Sequence, residues 1–481
     1  MSEKTMKEML GIVVLLQFLL CCRAGKGWLV FPTILQERMT ASNLVLRLND
    51  DITLNLQRSS VLAEKLLVVT TTERGYNLDK VNTSDIQERL YHDTHHQSSL
   101  MVHQKNGALH VEGVINSRLR IKPLPEGERS SLGQVQHKLY EVDEIKDHFI
   151  KTEPKLQRSY WNRYGHWFPP YVVRTTAKPP TYVDKFVVEV HVISDKEHQK
   201  HFKTNKELIA YLAVMMNAVN LRYLDMSGPK ISFVIIGITR SLSDPFAKHV
   251  QGTLEAAQTL KALVKYYKEG NIPDNPDAVY LITGLDLSSI EGGVLKKNVA
   301  GLAFLGTVCT KHGVAEGEDI ATSYDGVYAM AHELAHTLGA EHDMSPKCPW
   351  SQGYLMSYAD GGTKKYRLSP CSEEQIRKTV RRLSPTCISV QSSTNLMEQH
   401  KEVPGQKVPE EYYCRQILKE NAHGRTVTPV KTSELSSKCK MYCCYNIGYM
   451  RTCRQVDILE GMACTYEKTC RRGVCGYHIW K

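Results

Sequence analysis

Between Cys22 and Cys309 this 481-residue chain has no cysteine at all. No thiol can therefore serve in that stretch as nucleophile, metal ligand or disulfide partner. Long apolar runs are equally scarce: after the first two dozen residues none approaches the ~20 uninterrupted apolar residues that span a bilayer. Basic runs are missing too. The 61 Lys and Arg against 51 Asp and Glu leave +10, spread along the chain, which does not mark a nucleic-acid binder. With 42% hydrophobic and 23% charged residues, collagen, wholesale disorder and a multi-span membrane protein are excluded.

The cysteines that are present gather toward the C-terminus. Cys21 and Cys22 sit in an N-terminal apolar stretch, four cysteines fall between Cys309 and Cys387, and eight crowd between Cys414 and Cys475. The twelve outside the leader read as a disulfide framework formed in an oxidising compartment. The leader agrees with that compartment. Lys4 and Lys7 precede an apolar run from Leu10 to Cys22, and Cys22-Arg23-Ala24 offers a small-x-small cleavage pattern after Ala24. A secreted, extracellular product with no membrane attachment after signal removal is expected.

Residues 25 to about 168 alternate apolar and polar residues in short runs, as in 41–56 and 109–124, which predicts a β-rich region. It holds one N-x-S/T glycosylation acceptor, Asn82, and a group of histidines, His92, His95, His96 and His103, read as part of a solvated loop. Pro169, Pro170, Pro179 and Pro180 mark a boundary. From Tyr182 the pattern becomes mixed α/β. Strands are predicted at 186–193, 231–238, 278–283 and 301–308, and helices at 206–224 and 253–267. A polar linker then leads to the cysteine-rich end.

The chemistry is carried by His332-Glu333-x-x-His336-x-x-Gly339-x-x-His342. On a helix, residues four apart share a face, so His332 and His336 offer two imidazoles to one Zn²⁺. Gly339 tolerates the positive φ at which the helix can end and turn, bringing His342 round as a third ligand. Three neutral ligands leave the fourth position open, as a catalytic zinc requires. Glu333, next to the first ligand, is the candidate general base.

This eleven-residue pattern resembles that of the metzincin zinc endopeptidases, and Asp343 directly after the third histidine resembles the reprolysin (adamalysin) branch. The resemblance implies several further roles. Asp343 braces the turn, and Met356 in Tyr354-Leu355-Met356-Ser357-Tyr358 is the Met-turn beneath the zinc. Gly301, Leu302, Ala303 and Phe304 form the edge strand that takes an extended peptide substrate. Near Ser369-Pro370-Cys371-Ser372 the domain closes, with Cys309 paired to Cys387 and Cys348 to Cys371. Tyr358 differs from the usual reprolysin turn and resembles the astacin tyrosine; a structural tyrosine is the plainer reading, help to the oxyanion the alternative. Glu189 and Asp277 match two ligands of the family's calcium site, but Val390 stands where asparagine is expected, so calcium is not assigned. The whole arrangement, ending in a short cysteine-rich domain, most resembles the reprolysin-like metalloproteases of tick saliva.

The expected architecture is α/β: a metzincin catalytic domain, a mixed sheet with an active-site helix, between a β-rich propeptide and a disulfide-rich tail. Its bounds are a signal peptide at 1–24, propeptide at 25–175, catalytic domain at 180–390, linker at 391–411 and cysteine-rich domain at 412–481. A cysteine switch is impossible without a propeptide cysteine. The implied activity is that of a secreted zinc endopeptidase, made as a zymogen, that cleaves host matrix proteins, gelatin and fibrin(ogen). The alternative is a catalytically weak or inactive scaffold that binds host targets through the tail. From Ser436 to Lys481 eight Lys and Arg less three Asp and Glu leave +5, which suits contact with acidic proteins or glycosaminoglycans.

Overall fold

The computed structural model describes residues 27–35, 43–72, 75–124, 129–130, 133–142, 183–389, 403–406 and 408–478. The signal peptide, Val390 and most of the linker lie outside these residues, as do both proline pairs.

A seven-stranded sheet forms the centre of the molecule. Its strands are β1 (Leu62–Thr72), β2 (Gly75–Asn82), β3 (Lys185–Ser194), β4 (Lys230–Arg240), β5 (Ala278–Thr283), β6 (Gly301–Ala303) and β7 (Val314–Glu318). Their order is β6-β7-β5-β3-β4-β1-β2. The inner pairings are parallel, and both outermost pairings are antiparallel. β3 reads FVVEVHVI without apolar alternation because both of its faces are covered.

The N-terminal region enters this sheet. β1 pairs in parallel with β4, Gly237 opposite Leu67 and Arg240 opposite Thr70, and β2 completes the edge. A β-rich N-terminal region was expected, but as a separate unit ending near residue 168. Local periodicity cannot show which sheet a strand joins. The remaining strands between Gly27 and Glu141 build a nine-stranded antiparallel sheet.

That second sheet packs on helix α1 (Asn205–Leu221), whose Thr204 side chain accepts the Glu207 N–H as N-cap. α1 is almost wholly buried, with the central sheet on one side and Leu90, Met101 and Val114 on the other. A polar seam crosses the apolar contact. Asn217 donates through Nδ2 to the Tyr91 carbonyl (3.2 Å) and Ser99 Oγ (2.9 Å), while its Oδ1 accepts from Ser59 Oγ (2.6 Å). Arg120, also buried, donates to the Ser323 and Tyr324 carbonyls at 2.7 and 3.1 Å.

Beyond β4 the pattern departs locally from expectation. The segment expected as one helix opens with a short strand, Thr253–Glu255, before helix α2 (Ala256–Lys268). The strand expected at 301–308 stops at Ala303. β7 and the hairpin strands Leu287–Glu291 and Val294–Val299 were not anticipated.

Helix α3 (Val327–Thr337) and helix α4 (Pro370–Val380) complete the central domain. Cys309–Cys387 and Cys348–Cys371 disulfides tie its loops. The tail is a small separate core around Cys414–Cys443, Cys439–Cys470, Cys444–Cys453 and Cys464–Cys475. It packs back on the N-terminal region: Val45 joins the tail's apolar cluster, and Arg454 pairs with Asp50 at 3.2 Å.

Candidate metal centre

α3 is buried along nearly all its length because β6 and β7 cover one side and α1 another. His332 and His336 stand one turn apart on it. After the helix Gly339 turns at φ +101°, and a Cβ there would lie 2.2 Å from Thr379 Oγ1 of α4. The chain therefore needs glycine at that turn both for conformation and for space. His342 is thereby brought back, with its Nε2 3.0 Å from His332 Nε2 and 3.2 Å from His336 Nε2.

Two of these nitrogens face the third as acceptors. His332 donates from Nδ1 to the Leu355 carbonyl (2.9 Å) and His336 from Nδ1 to the Ala340 carbonyl (2.7 Å), which leaves each Nε2 without a proton in the neutral ring. Burial keeps the rings neutral: it lowers His332 to about 4 and His336 and His342 well below the usual range. Three neutral ring nitrogens that close together suit a shared cation, and edges near 3.3 Å are those of a tetrahedral zinc with ligands at about 2.0 Å. The residues fit the metal. His342 Nδ1 meets the Tyr358 hydroxyl at 2.9 Å, so in this structure Tyr358 steadies a ligand.

Glu333 faces away from its neighbouring histidine toward the sheet edge. A Cβ on Gly301 would come 2.7 Å from Glu333 Cγ and 2.9 Å from Oε1, so the glycine leaves room for the carboxyl beside β6. Burial pushes the Glu333 carboxyl well above its ordinary range. β6 is the terminal strand of the sheet and Phe304 follows it, so the candidate substrate strand, the candidate base and the triad adjoin.

Asp343 lies buried under the turn. Its Oδ2 accepts from Ser357 Oγ (3.1 Å), its Oδ1 accepts from the Ser369 and Ser372 hydroxyls, and its N–H donates to the Met356 carbonyl (2.9 Å). Met356 is fully buried. The three serines, and the Leu355 and Ala340 carbonyls, escaped the sequence reading: backbone carbonyls carry no side-chain signal, and isolated serines carry little.

Other expected positions lie elsewhere. Glu189 donates its N–H to Asp277 Oδ2 (2.9 Å), and burial together with the Glu189 charge pushes Asp277 up to about 7. Asn82 is exposed at the end of β2. The histidine group is not a solvated loop. His92 is buried, and His96 is held between Asp93 and Asp457, whose charges outweigh burial and push it up to about 10. In the tail, Tyr449, Tyr466 and Tyr477 are exposed while Tyr445 is buried.

Comparison with known proteins agrees with this geometry. Residues 185–391 match the model of the Reprolysin (M12B) family zinc metalloprotease. The chain is 24% identical over 410 residues to venom metalloproteinase antarease TserMP_A of Tityus serrulatus, covering 79% of this chain and 97% of that one. It is 27% identical to venom metalloproteinase BumaMPs1 of Olivierus martensii over 74% of this chain and 91% of that one. A Bombyx mori disintegrin and metalloproteinase with thrombospondin motifs-like protein is 25% identical over 69% of this chain and 58% of its own length. These are scorpion and silkworm proteins, so the likeness stands at the level of the family and not of tick saliva. Residues 185–391 thus match the reprolysin domain of the M12B zinc metalloproteases, and they are set between a β-rich N-terminal region and a disulfide-rich C-terminal one.

Proposed function

We propose that this protein is a secreted zinc endopeptidase that cuts extended segments of extracellular proteins, with Glu333 as general base and residues 25–175 as a propeptide. The observation that carries the proposal is the convergence of three neutral imidazoles, a buried carboxyl and the terminal strand of the central sheet. His332, His336 and His342 would hold one zinc, which when bound supplies Lewis acidity, polarising a carbonyl and making water easier to deprotonate.

The chain's own residues supply the rest. β6 and Phe304 offer backbone groups to which a peptide adds as one more strand, aligning its scissile bond. Glu333 takes the proton of the attacking water and passes it to the leaving nitrogen. Tyr358 holds His342 and stands near enough to the centre to meet the developing oxyanion when that hydrogen bond is given up. Extracellular location is supported by six disulfides, by relatives named as venom proteins, and by the lack, among the described residues, of a helix long and apolar enough to cross a membrane.

For substrates we favour matrix proteins, gelatin and fibrin(ogen), the class that the family resemblance implies. The exposed tyrosines Tyr449, Tyr466 and Tyr477, among basic residues of the tail, suit capture of acidic proteins or glycosaminoglycans. The test is cleavage of gelatin and fibrinogen by the mature chain. Activity should vanish with a zinc chelator and fall by about 10²–10⁴-fold in Glu333→Ala. Zinc bound at stoichiometry with no cleavage of either substrate or of a broad peptide library would instead favour a binding scaffold acting through the tail.

A further inference from the structure

A second group of ligand-type atoms lies far along the chain from the triad. His95 and His96 come from the turn between strands Leu90–Asp93 and Ser98–Lys105 of the N-terminal region, and Asp457 ends the tail strand Met450–Asp457. One potential ligand atom from each lies within 4.8 Å of the others. His96 Nε2 and Asp457 Oδ2 are 3.6 Å apart, too long for a hydrogen bond and close to the edge of a zinc tetrahedron, about 3.3 Å.

The surroundings differ from those of the first centre: a carboxylate rather than a backbone carbonyl stands behind the ring, and a metal must displace the proton that Asp93 and Asp457 hold on His96. Buried Asp93 holds the turn with Oδ1, which accepts the His95 N–H (2.7 Å) and the His96 N–H (3.0 Å). Its Oδ2 accepts the Asn55 N–H (2.6 Å) and faces His96 Nδ1 at 3.2 Å. A carboxylate behind one ring nitrogen fixes the imidazole and aims the other nitrogen outward, the arrangement common behind metal-bound histidines. On the tail side, Lys440 Nζ occupies Asp457 Oδ1 at 2.9 Å, which leaves Oδ2 to face His96. The tail hairpin closes over His95: a Cβ on Gly473 would lie 3.2 Å from His95 Cε1. The half-buried His95 ring supplies the third candidate ligand atom.

We propose that His95, His96 and Asp457 form a second zinc site that clips the N-terminal β-rich region to the cysteine-rich tail. Two imidazoles and one carboxylate suit zinc. Its ligands come from segments more than 350 residues apart, so the site exists only where the two regions are docked, and occupancy stabilises that docking. The site takes no part in peptide hydrolysis and does not depend on that reading.

The test uses the unprocessed full-length chain carrying Glu333→Gln to suppress self-cleavage, loaded with ZnCl₂, dialysed and analysed for metal by mass spectrometry. Two zinc ions per chain are expected. One should remain in His95→Ala and in Asp457→Asn, and one in His332→Ala/His336→Ala, each checked for native near-ultraviolet circular dichroism. Cobalt(II) added to the His332→Ala/His336→Ala chain should give tetrahedral d–d absorption that His95→Ala removes. Should His95→Ala misfold, Asp457→Asn carries the same comparison from the other side. One zinc in the parent chain and none in the His332→Ala/His336→Ala chain would overturn the proposal. So would a second zinc that survives in both His95→Ala and Asp457→Asn.

Discussion

Gly339 shows how tightly single residues fix the triad. An alanine there would hold φ near +101° against its preference and push a methyl group to 2.2 Å from Thr379 Oγ1. Gly339→Ala should cost on the order of 2–4 kcal/mol by chemical denaturation; a change under about 0.5 kcal/mol would show that the turn relaxes freely. Tyr358 acts through His342, so Tyr358→Phe should weaken zinc binding by roughly 10-fold in a chelator competition. Unchanged affinity with reduced turnover would place the hydroxyl on the substrate side. At this scale the sequence was highly legible. His332, Glu333, His336 and His342 are recognisable because helix period and a glycine turn convert spacing directly into geometry. The serines that bracket Asp343 were not, since three residues from 357 to 372 meet only after the chain has folded back.

Helix α1 and the loop before α3 carry the element-scale consequences. Asn217 satisfies three polar groups across an apolar contact, and Asn217→Ala would take the acceptor from Ser59 and a donor from the Tyr91 carbonyl and the Ser99 hydroxyl, which keeps its bond to the Val214 carbonyl. A loss of about 2–3 kcal/mol is expected in denaturant melts of the full chain. Ahead of α3, burial pushes Asp325 up to about 7, helped by the charge of Asp319, and burial likewise pushes Glu318 up to about 7. In the unfolded chain both ionise near pH 4. Between these values the folded state holds protons that the unfolded state has released, so the stability that these two groups contribute falls as pH rises from about 4 to 7 and then levels. Asp325→Asn should make the plot of Tm against pH shallower over that window, and an unaltered slope would show that Asp325 does not contribute. α1 was legible from its apolar stripe. β7, VAEGE, was not: two glutamates and a glycine hide a strand that is buried only because β6 and β5 flank it.

For the whole molecule, the main surprise is the entry of β1 and β2 into the central sheet. Parallel pairing between residues so far apart leaves no local trace, so a boundary placed near the prolines from composition carries no information about that contact. A cut anywhere within residues 143–182 should therefore leave both pieces joined through β1–β4 pairing and the α1 seam. They should elute together from size-exclusion chromatography in native buffer and separate in denaturant; separation in native buffer would mean that the pairing needs the covalent link. The same pairing also sets a timetable for biosynthesis. β1 contains the run LLVVTTT, and its partner β4 begins 230 minus 62, or 168, residues later. At a translation rate of about 5–20 residues per second, an apolar strand with a bare edge waits roughly 10–30 seconds for its neighbour. Nascent chains thus have an interval of exposure to chaperones, and to one another, before the central sheet can close.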